Sequence, residues 1–258
     1  ASHRRIDPKP RYPALAAKPV LRVCSPLVKA ISRETTMFQG SMTALITPFK
    51  DGSVDEDAFQ SFVDWQIDEG TEAVIPCGTT GESPTLTHAE HMRVTELCIE
   101  VVNGRVPVIA GTGSNSTEEA IELTRHAKDA GATAGLVVTP YYNKPTQEGI
   151  YAHYAAVAQE TGLPIVIYNI PGRTASNVAP ETIGRLARLE NVIGIKEASG
   201  DLDQMAHVIA KSPSDFAVVS GDDSLTLPLF SVGAKGVISV ASNVSPPKVL
   251  AITDNALK

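Results

Sequence analysis

The sequence predicts an α/β chain folded as a (β/α)8 TIM barrel over residues 37–258. Three observations predict it. Eight short apolar, β-branched runs recur along the chain. Amphipathic stretches separate them. The residues that follow each run are polar and glycine-rich, while those that precede it are plainer. A run that is apolar almost throughout suits a parallel strand buried on both faces. Eight βα units in about 220 residues fit a closed barrel better than an open sheet. A doubly wound sheet is the alternative. It usually has fewer strands and a glycine-rich loop after the first, where Pro48-Phe49 stands here.

In chain order the predicted strands are 43–47, 73–76, 106–110, 135–139, 164–168, 192–196, 216–220 and 236–240. Helical patterns lie between them, among them 57–69, 89–102 and 118–130. Ser116 is placed to cap the helix at 118. Gly70, Gly104, Gly131 and Gly162 stand where helices end.

Of the 258 residues, 43% are hydrophobic and 20% charged, enough for a large core without disulfide or metal support. The net charge of −7 argues against nucleic acid as a partner. No apolar run approaches the roughly 20 residues that span a bilayer, so no membrane is expected. Cys24, Cys77 and Cys98 are odd in number and contain no CxxC pair, and the expected compartment is reducing. Gly111-Thr112-Gly113 lacks the third glycine of a dinucleotide fingerprint and carries little weight. Residues 1–36 differ from the rest. They hold eight Lys/Arg, two acidic residues and five prolines. Such a leader suits an organellar transit peptide. A non-native or mis-started leader fits better, because residue 1 is Ala and Met37 stands directly before the first strand. A cytoplasmic location follows, with plastid import only if the leader is a genuine transit peptide.

In a barrel the catalytic groups cluster where strands end. Lys196 closes the run Val192-Ile193-Gly194-Ile195-Lys196. Alternation puts Gly194 and Lys196 on one face and the two isoleucines on the other. If the isoleucines face helices, the lysine points into the barrel. Burial there favours the neutral amine, the nucleophile that Schiff-base formation needs. A structural lysine paired with a carboxylate is the competing reading. Tyr168 ends the preceding run with Val166 on its face, so it too can point inward. There it can shuttle a proton, or simply fill the core. The loop Gly78-Thr79-Thr80-Gly81-Glu82 offers backbone N–H groups to an anion such as a carboxylate, or forms only a tight turn. Arg173 can hold a substrate carboxylate or stand solvated. His88 and His91 do not make the HExxH zinc pattern, and with no third ligand in sight no metal is expected.

The strings 78–86 (GTTGESPTL), 138–149 (VTPYYNKPTQEG), 168–174 (YNIPGRT), 194–201 (GIKEASGD) and 220–223 (SGDD) occur in that order on successive strands. Together they resemble the 4-hydroxy-tetrahydrodipicolinate synthase family, formerly called dihydrodipicolinate synthase, within the class I pyruvate aldolase superfamily. The resemblance covers Met37 to Lys258. It implies condensation of pyruvate with aspartate 4-semialdehyde in the lysine and diaminopimelate pathway. It implies an imine on Lys196 and a relay of Tyr168, Thr79 and Tyr142, the last reaching in from a neighbouring subunit. The Thr79–Thr80 backbone would hold the pyruvate carboxylate, and Arg173 that of the aldehyde. Gly221, Asp222 and Ile238 would line the pocket. No metal or organic cofactor is implied, and the assembly would be a homodimer or homotetramer.

The same resemblance implies an inhibitory L-lysine site of Ser83, Pro84, His88, His91, Asn115, Glu119 and Tyr141, with Pro84 where the family usually has a small residue. Family members also continue into a C-terminal helical extension, most of which is not expected within 37–258. The nearest rivals are other pyruvate lyases, acting on N-acetylneuraminate or 2-keto-3-deoxy sugar acids. They share the lysine and tyrosine but resemble this chain less at Thr79-Thr80 and Arg173. A non-catalytic barrel acting as a binding or assembly protein is the rival of a different class.

Overall fold

The computed structural model describes residues 38–258. The basic leader expected over 1–36 lies outside the described residues. The chain runs β1 (Gly40–Ala44), β2 (Phe49–Lys50), β3 (Ser53–Val54), α1 (Glu56–Asp68), β4 (Ala73–Ile75), α2 (His88–Val102), β5 (Ile109–Gly111) and α3 (Thr117–Ala130). It continues through β6 (Ala134–Val138), α4 (Gln147–Thr161), β7 (Ile165–Asn169), α5 (Pro171–Thr174), α6 (Pro180–Leu186) and β8 (Val192–Glu197). Last come α7 (Leu202–Lys211), β9 (Ala217–Ser220), α8 (Thr226–Ser231), β10 (Gly236–Ser239) and α9 (Pro246–Ala256).

Among the described residues eight strands form one parallel sheet, ordered β4-β1-β10-β9-β8-β7-β6-β5. Val74 bridges to Val108 in parallel, which brings β4 against the start of β5 and closes the ring. This is the expected (β/α)8 barrel. Its two layers follow from the period of two along each strand. On β7, Val166 and Tyr168 join an interior cluster with Met42, Ile75, Leu136 and Ile238. Ile165 and Ile167 face the other way, against Tyr154 and Val157 of α4 and Ile183 of α6. No helix among these residues is long and apolar enough to cross a membrane.

Three local expectations need correction. The first strand was expected at 43–47 but ends at Ala44. Asn243 explains this: its amide donates to the Ala44 carbonyl at 2.8 Å, and its oxygen accepts from the Ile46 N–H at 3.1 Å. A side chain therefore takes the bonds that would have continued the ladder. The isoleucines of β8 were expected on one face, but they separate. The register with β7 shifts so that Ile165 pairs with Val192 and Val166 with Gly194. Ile193 is the extra residue of this bulge and packs against the interior cluster, while Ile195 joins the outer layer. The alternation resumes before Lys196, so the lysine still faces inward. Finally, Phe49–Lys50 and Ser53–Val54 make an antiparallel hairpin that had not been expected. Asp51 and Gly52 both have positive φ, 52° and 83°, as an Asp-Gly two-residue hairpin requires, so the signal was present in the sequence.

Candidate active site

Tyr168 and Lys196 are register partners on β7 and β8, so the parallel ladder itself sets them side by side. Both are 5% exposed. The Lys196 Nζ stands 4.4 Å from the centre of the Tyr168 ring. Burial moves the ammonium from an ordinary value of 10.5 down to about 8. Asp222 and Asp223 pull it back up, and Arg173 adds to the depression. The amine is therefore far easier to deprotonate than a surface lysine. Burial also raises the Tyr168 phenol, against the lowering effect of its hydrogen bond with Thr79 and of Arg173. The phenol thus stays protonated near neutral pH and can donate.

The framework around this pair is tightly specified. Gly221 follows β9, and a Cβ there would lie 2.7 Å from the Ala198 Cβ and 3.1 Å from the Lys196 Cε. A larger residue would press on the lysine stem. Asp223 accepts from the Ser239 hydroxyl and from the Val240 and Ala241 N–H groups, which fixes the end of β10 beside Asp222. Thr139 donates N–H and hydroxyl bonds to the Tyr168 carbonyl, each at 3.0 Å, and its hydroxyl meets that of buried Tyr154. The Thr79–Thr80 loop follows β4, and the buried Thr47 hydroxyl donates to the Gly81 carbonyl at 2.7 Å, tying the loop to the exit of β1. Thr79 is exposed and Thr80 half-buried.

The other expected residues are placed as follows. Arg173 is exposed on α5, within electrostatic reach of both Lys196 and Tyr168. Asp222 is half-buried beside them. Ile238 is fully buried in the interior cluster as the strand partner of Met42, so its side chain forms barrel core. Tyr142 is 88% exposed, with a left-handed backbone at φ 68°.

Six of the seven residues expected for L-lysine line one cavity: Ser83, Pro84, His88, His91, Glu119 and Tyr141. Thr79 and Tyr168 line the same cavity, so it reaches the Tyr168 side of the catalytic pair. Asn115 is not in the lining, but its carbonyl accepts from the Asn143 amide at 3.2 Å. A capping box of Thr87 and Glu90 starts α2 and thereby aims His88 and His91. His88 meets Glu119 at 2.7 Å, and Ser114 donates to the other Glu119 oxygen. His91 is withdrawn from solvent, only 4% exposed, and burial pushes its imidazole pKa down to about 4.

Sequence reasoning missed Asn169 and Glu197, which adjoin Tyr168 and Lys196 and are both 0% exposed. A polar side chain at the fully buried end of an apolar strand is the signal that could have found them.

The described part of the chain matches known proteins throughout. The model of a family described as the Dihydrodipicolinate synthetase family matches residues 37–258. The 4-hydroxy-tetrahydrodipicolinate synthase of Rhodospirillum centenum is 60% identical over 210 residues, 81% of this chain and 72% of that protein. The crystal structure of the chloride-inhibited dihydrodipicolinate synthase from Acinetobacter baumannii, complexed with pyruvate, is 48% identical with a TM-score of 0.83, over 85% of this chain and 76% of that one. That of the Cyanidioschyzon merolae enzyme with lysine bound is 45% identical with a TM-score of 0.83, over 85% of this chain and 75% of that one. This chain thus spans about three quarters of their length. With the barrel, the ordered strand-end motifs and the buried lysine–tyrosine pair all accounted for, the chain belongs to the dihydrodipicolinate synthetase family.

Proposed function

We propose that the site condenses pyruvate with L-aspartate 4-semialdehyde to give 4-hydroxy-tetrahydrodipicolinate, through an imine on Lys196. The observation that carries the reading is the buried Lys196, depressed to about 8 and set against the Tyr168–Thr79 hydrogen bond. The neutral amine attacks the C2 carbonyl of pyruvate. Tyr168 donates a proton to the developing alkoxide, takes one back from the carbinolamine nitrogen and passes it to the departing hydroxyl, which leaves as water. Loss of a methyl proton gives an enamine, whose carbon attacks the aldehyde of the second substrate. Water or an internal amine then releases the lysine. The Thr79–Thr80 backbone holds the pyruvate carboxylate and Arg173 that of the aldehyde substrate. Because Lys196 supplies the covalent catalyst, this chemistry calls for no metal or organic cofactor. Tyr142 completes the relay from a second subunit of a homodimer or homotetramer, a role that suits a tyrosine this exposed. The family's reaction belongs to lysine and diaminopimelate biosynthesis, and we place the enzyme in the cytoplasm.

Treatment with borohydride in the presence of pyruvate is expected to modify Lys196, read by mass analysis of its peptide. Modification of Lys144 or another lysine, with Lys196 untouched, would refute the mechanism. The rate of imine formation in the free enzyme is expected to rise with pH to a plateau, with a midpoint near 8. A midpoint close to 10.5 would mean that burial does not tune the amine.

A second reading concerns regulation. The cavity lined by His88, His91, Glu119, Tyr141, Thr79 and Tyr168 suits an amino acid: Glu119 for its ammonium, the histidines and Tyr141 for neutral hydrogen bonds. We propose L-lysine as that ligand, as in the lysine-bound relative. Calorimetric titration of L-lysine into a verified dimer should release or absorb heat, and Glu119→Ala should weaken binding by roughly tenfold or more. An absent signal, or equal affinity in the variant, would reject the assignment.

A further inference from the structure

Glu197 follows Lys196 but faces the other side of β8, and it is completely buried. Its Oε1 accepts from the Ser199 N–H at 2.8 Å, and both its oxygens accept from the Asn169 amide at 3.2 Å. Asn169 is its register partner at the end of β7. The same Asn169 amide donates to the Asn177 side chain at 2.9 Å, and the Asn169 oxygen accepts from the Val178 N–H at 3.1 Å. Asn177 and Gln204 exchange two further bonds, of 2.6 and 3.1 Å. One side chain, Asn169, therefore ties together both ends of the segment 169–178, and Glu197 fixes the orientation of that side chain. Arg173 rides on α5 in the middle of this segment. A buried network of this kind is effective only when every donor meets an acceptor.

We propose that Glu197 and Asn169 are a positioning pair that sets where Arg173 stands, and so set the affinity for the second, carboxylate-bearing aldehyde. This rests on the reading of Arg173 as the group that binds that carboxylate. Neither residue touches the reacting atoms.

The test is Glu197→Gln. The new amide at position 197 can keep one acceptor on the Ser199 N–H, but its NH2 then faces the NH2 of Asn169. Asn169 cannot turn over without losing Val178. The KM for aspartate 4-semialdehyde is expected to rise about tenfold with kcat changed less than about twofold, while pyruvate–borohydride labelling of Lys196 keeps its yield. Adding Asn169→Asp to that variant is expected to restore KM to within about threefold, because a carboxylate at 169 accepts from the new amide, from Val178 and, once the Asn177 and Gln204 amides turn over together, from the Asn177 NH2. In an Arg173→Ala background, which itself raises this KM by at least about tenfold, Glu197→Gln is expected to add less than about twofold. If Arg173→Ala raises KM and Glu197→Gln does not, the positioning pair is refuted and the reading of Arg173 stands. If Arg173→Ala leaves KM unmoved, that reading falls and the proposal falls with it. Additive effects of the two, or a loss of kcat and labelling at constant KM, would reduce Glu197 to a merely structural role and overturn the proposal.

Discussion

Replacing Lys196 by methionine is expected to abolish condensation and, in the same protein, to raise the melting temperature. The first effect follows from the chemistry, because a thioether cannot form the imine and no second amine shares the Tyr168 face of β8. Turnover should fall by at least about four orders of magnitude, the loss typical of a removed nucleophile. The second effect follows from burial. In the folded chain the ammonium is held near 8, whereas an unfolded lysine titrates near 10.5. That displacement corresponds to roughly 3 kcal/mol of destabilisation by the charged form. Methionine has nearly the same length and no charge, so it should recover much of this, or roughly 5–10 °C. The pH dependence has a definite sign. Below about 8 the lysine is protonated in both states, and the fold bears the whole cost. Between 8 and 10.5 the folded chain has released its proton and the unfolded chain has not, so the cost shrinks. Above 10.5 it is gone. The stability gap between variant and parent should be widest at pH 7 and close by about pH 10.5, as thermal melts across that range would read. A variant that melts lower than the parent at pH 7 would show that the lysine is held by net favourable contacts. One that keeps condensing substrate would remove Lys196 from the mechanism.

The same opposition between stability and function explains which parts of the molecule could be read from its sequence. The strands were legible because a doubly covered parallel strand must be apolar almost throughout, and 192–196 and 73–76 meet that demand alone. Lys196 was legible as a candidate for the converse reason: a charge at the end of such a run is costly to bury and calls for a carboxylate partner or a chemical role. The helix starts were legible where a capping side chain is itself diagnostic, as at Ser116, which accepts from the Glu119 N–H. What stayed hidden depends on residues far apart in the chain. The end of β1 is set by Asn243, almost 200 residues away. The bulge at Ile193 depends on the register with β7, which no single strand encodes. Glu197 and Asn169 were quoted within motifs, yet their pairing needs two strands to be aligned. The continuity of the cavity from Tyr168 to Glu119 depends on α2 and α3 both facing the same strand ends. Chemistry carried by one residue could thus be read locally, whereas chemistry that depends on packing could not.

Glycine 111 belongs to the hidden class, and its replacement carries the second large expected effect. Gly111-Thr112-Gly113 looked like a broken nucleotide fingerprint. The structure gives its first glycine another task. Gly111 ends β5, its N–H donates to the Pro76 carbonyl at 2.9 Å, and its Cα lies against the turn after β4. A Cβ at 111 would stand 2.1 Å from the Cys77 carbonyl oxygen and 2.9 Å from the Gly78 nitrogen. These are backbone atoms, so no side-chain rotation relieves the clash. Cys77 cannot readily yield, because it already has a left-handed backbone at φ 55° and its buried thiol donates to the His91 carbonyl. The turn must therefore move away from β5, and it carries Thr79, the hydrogen-bond partner of Tyr168, two residues on. Overpacking of this kind costs about 1–3 kcal/mol. Displacing Thr79 by even half the overlap should slow turnover by roughly 100-fold. Gly111→Ala is thus expected to lower the melting temperature, reduce kcat far more than the KM for either substrate, and slow borohydride-trapped imine formation while Lys196 remains the labelled residue. A variant with parental kcat would show that the turn accommodates the methyl without moving Thr79, and that the tight β4–β5 contact serves the fold alone.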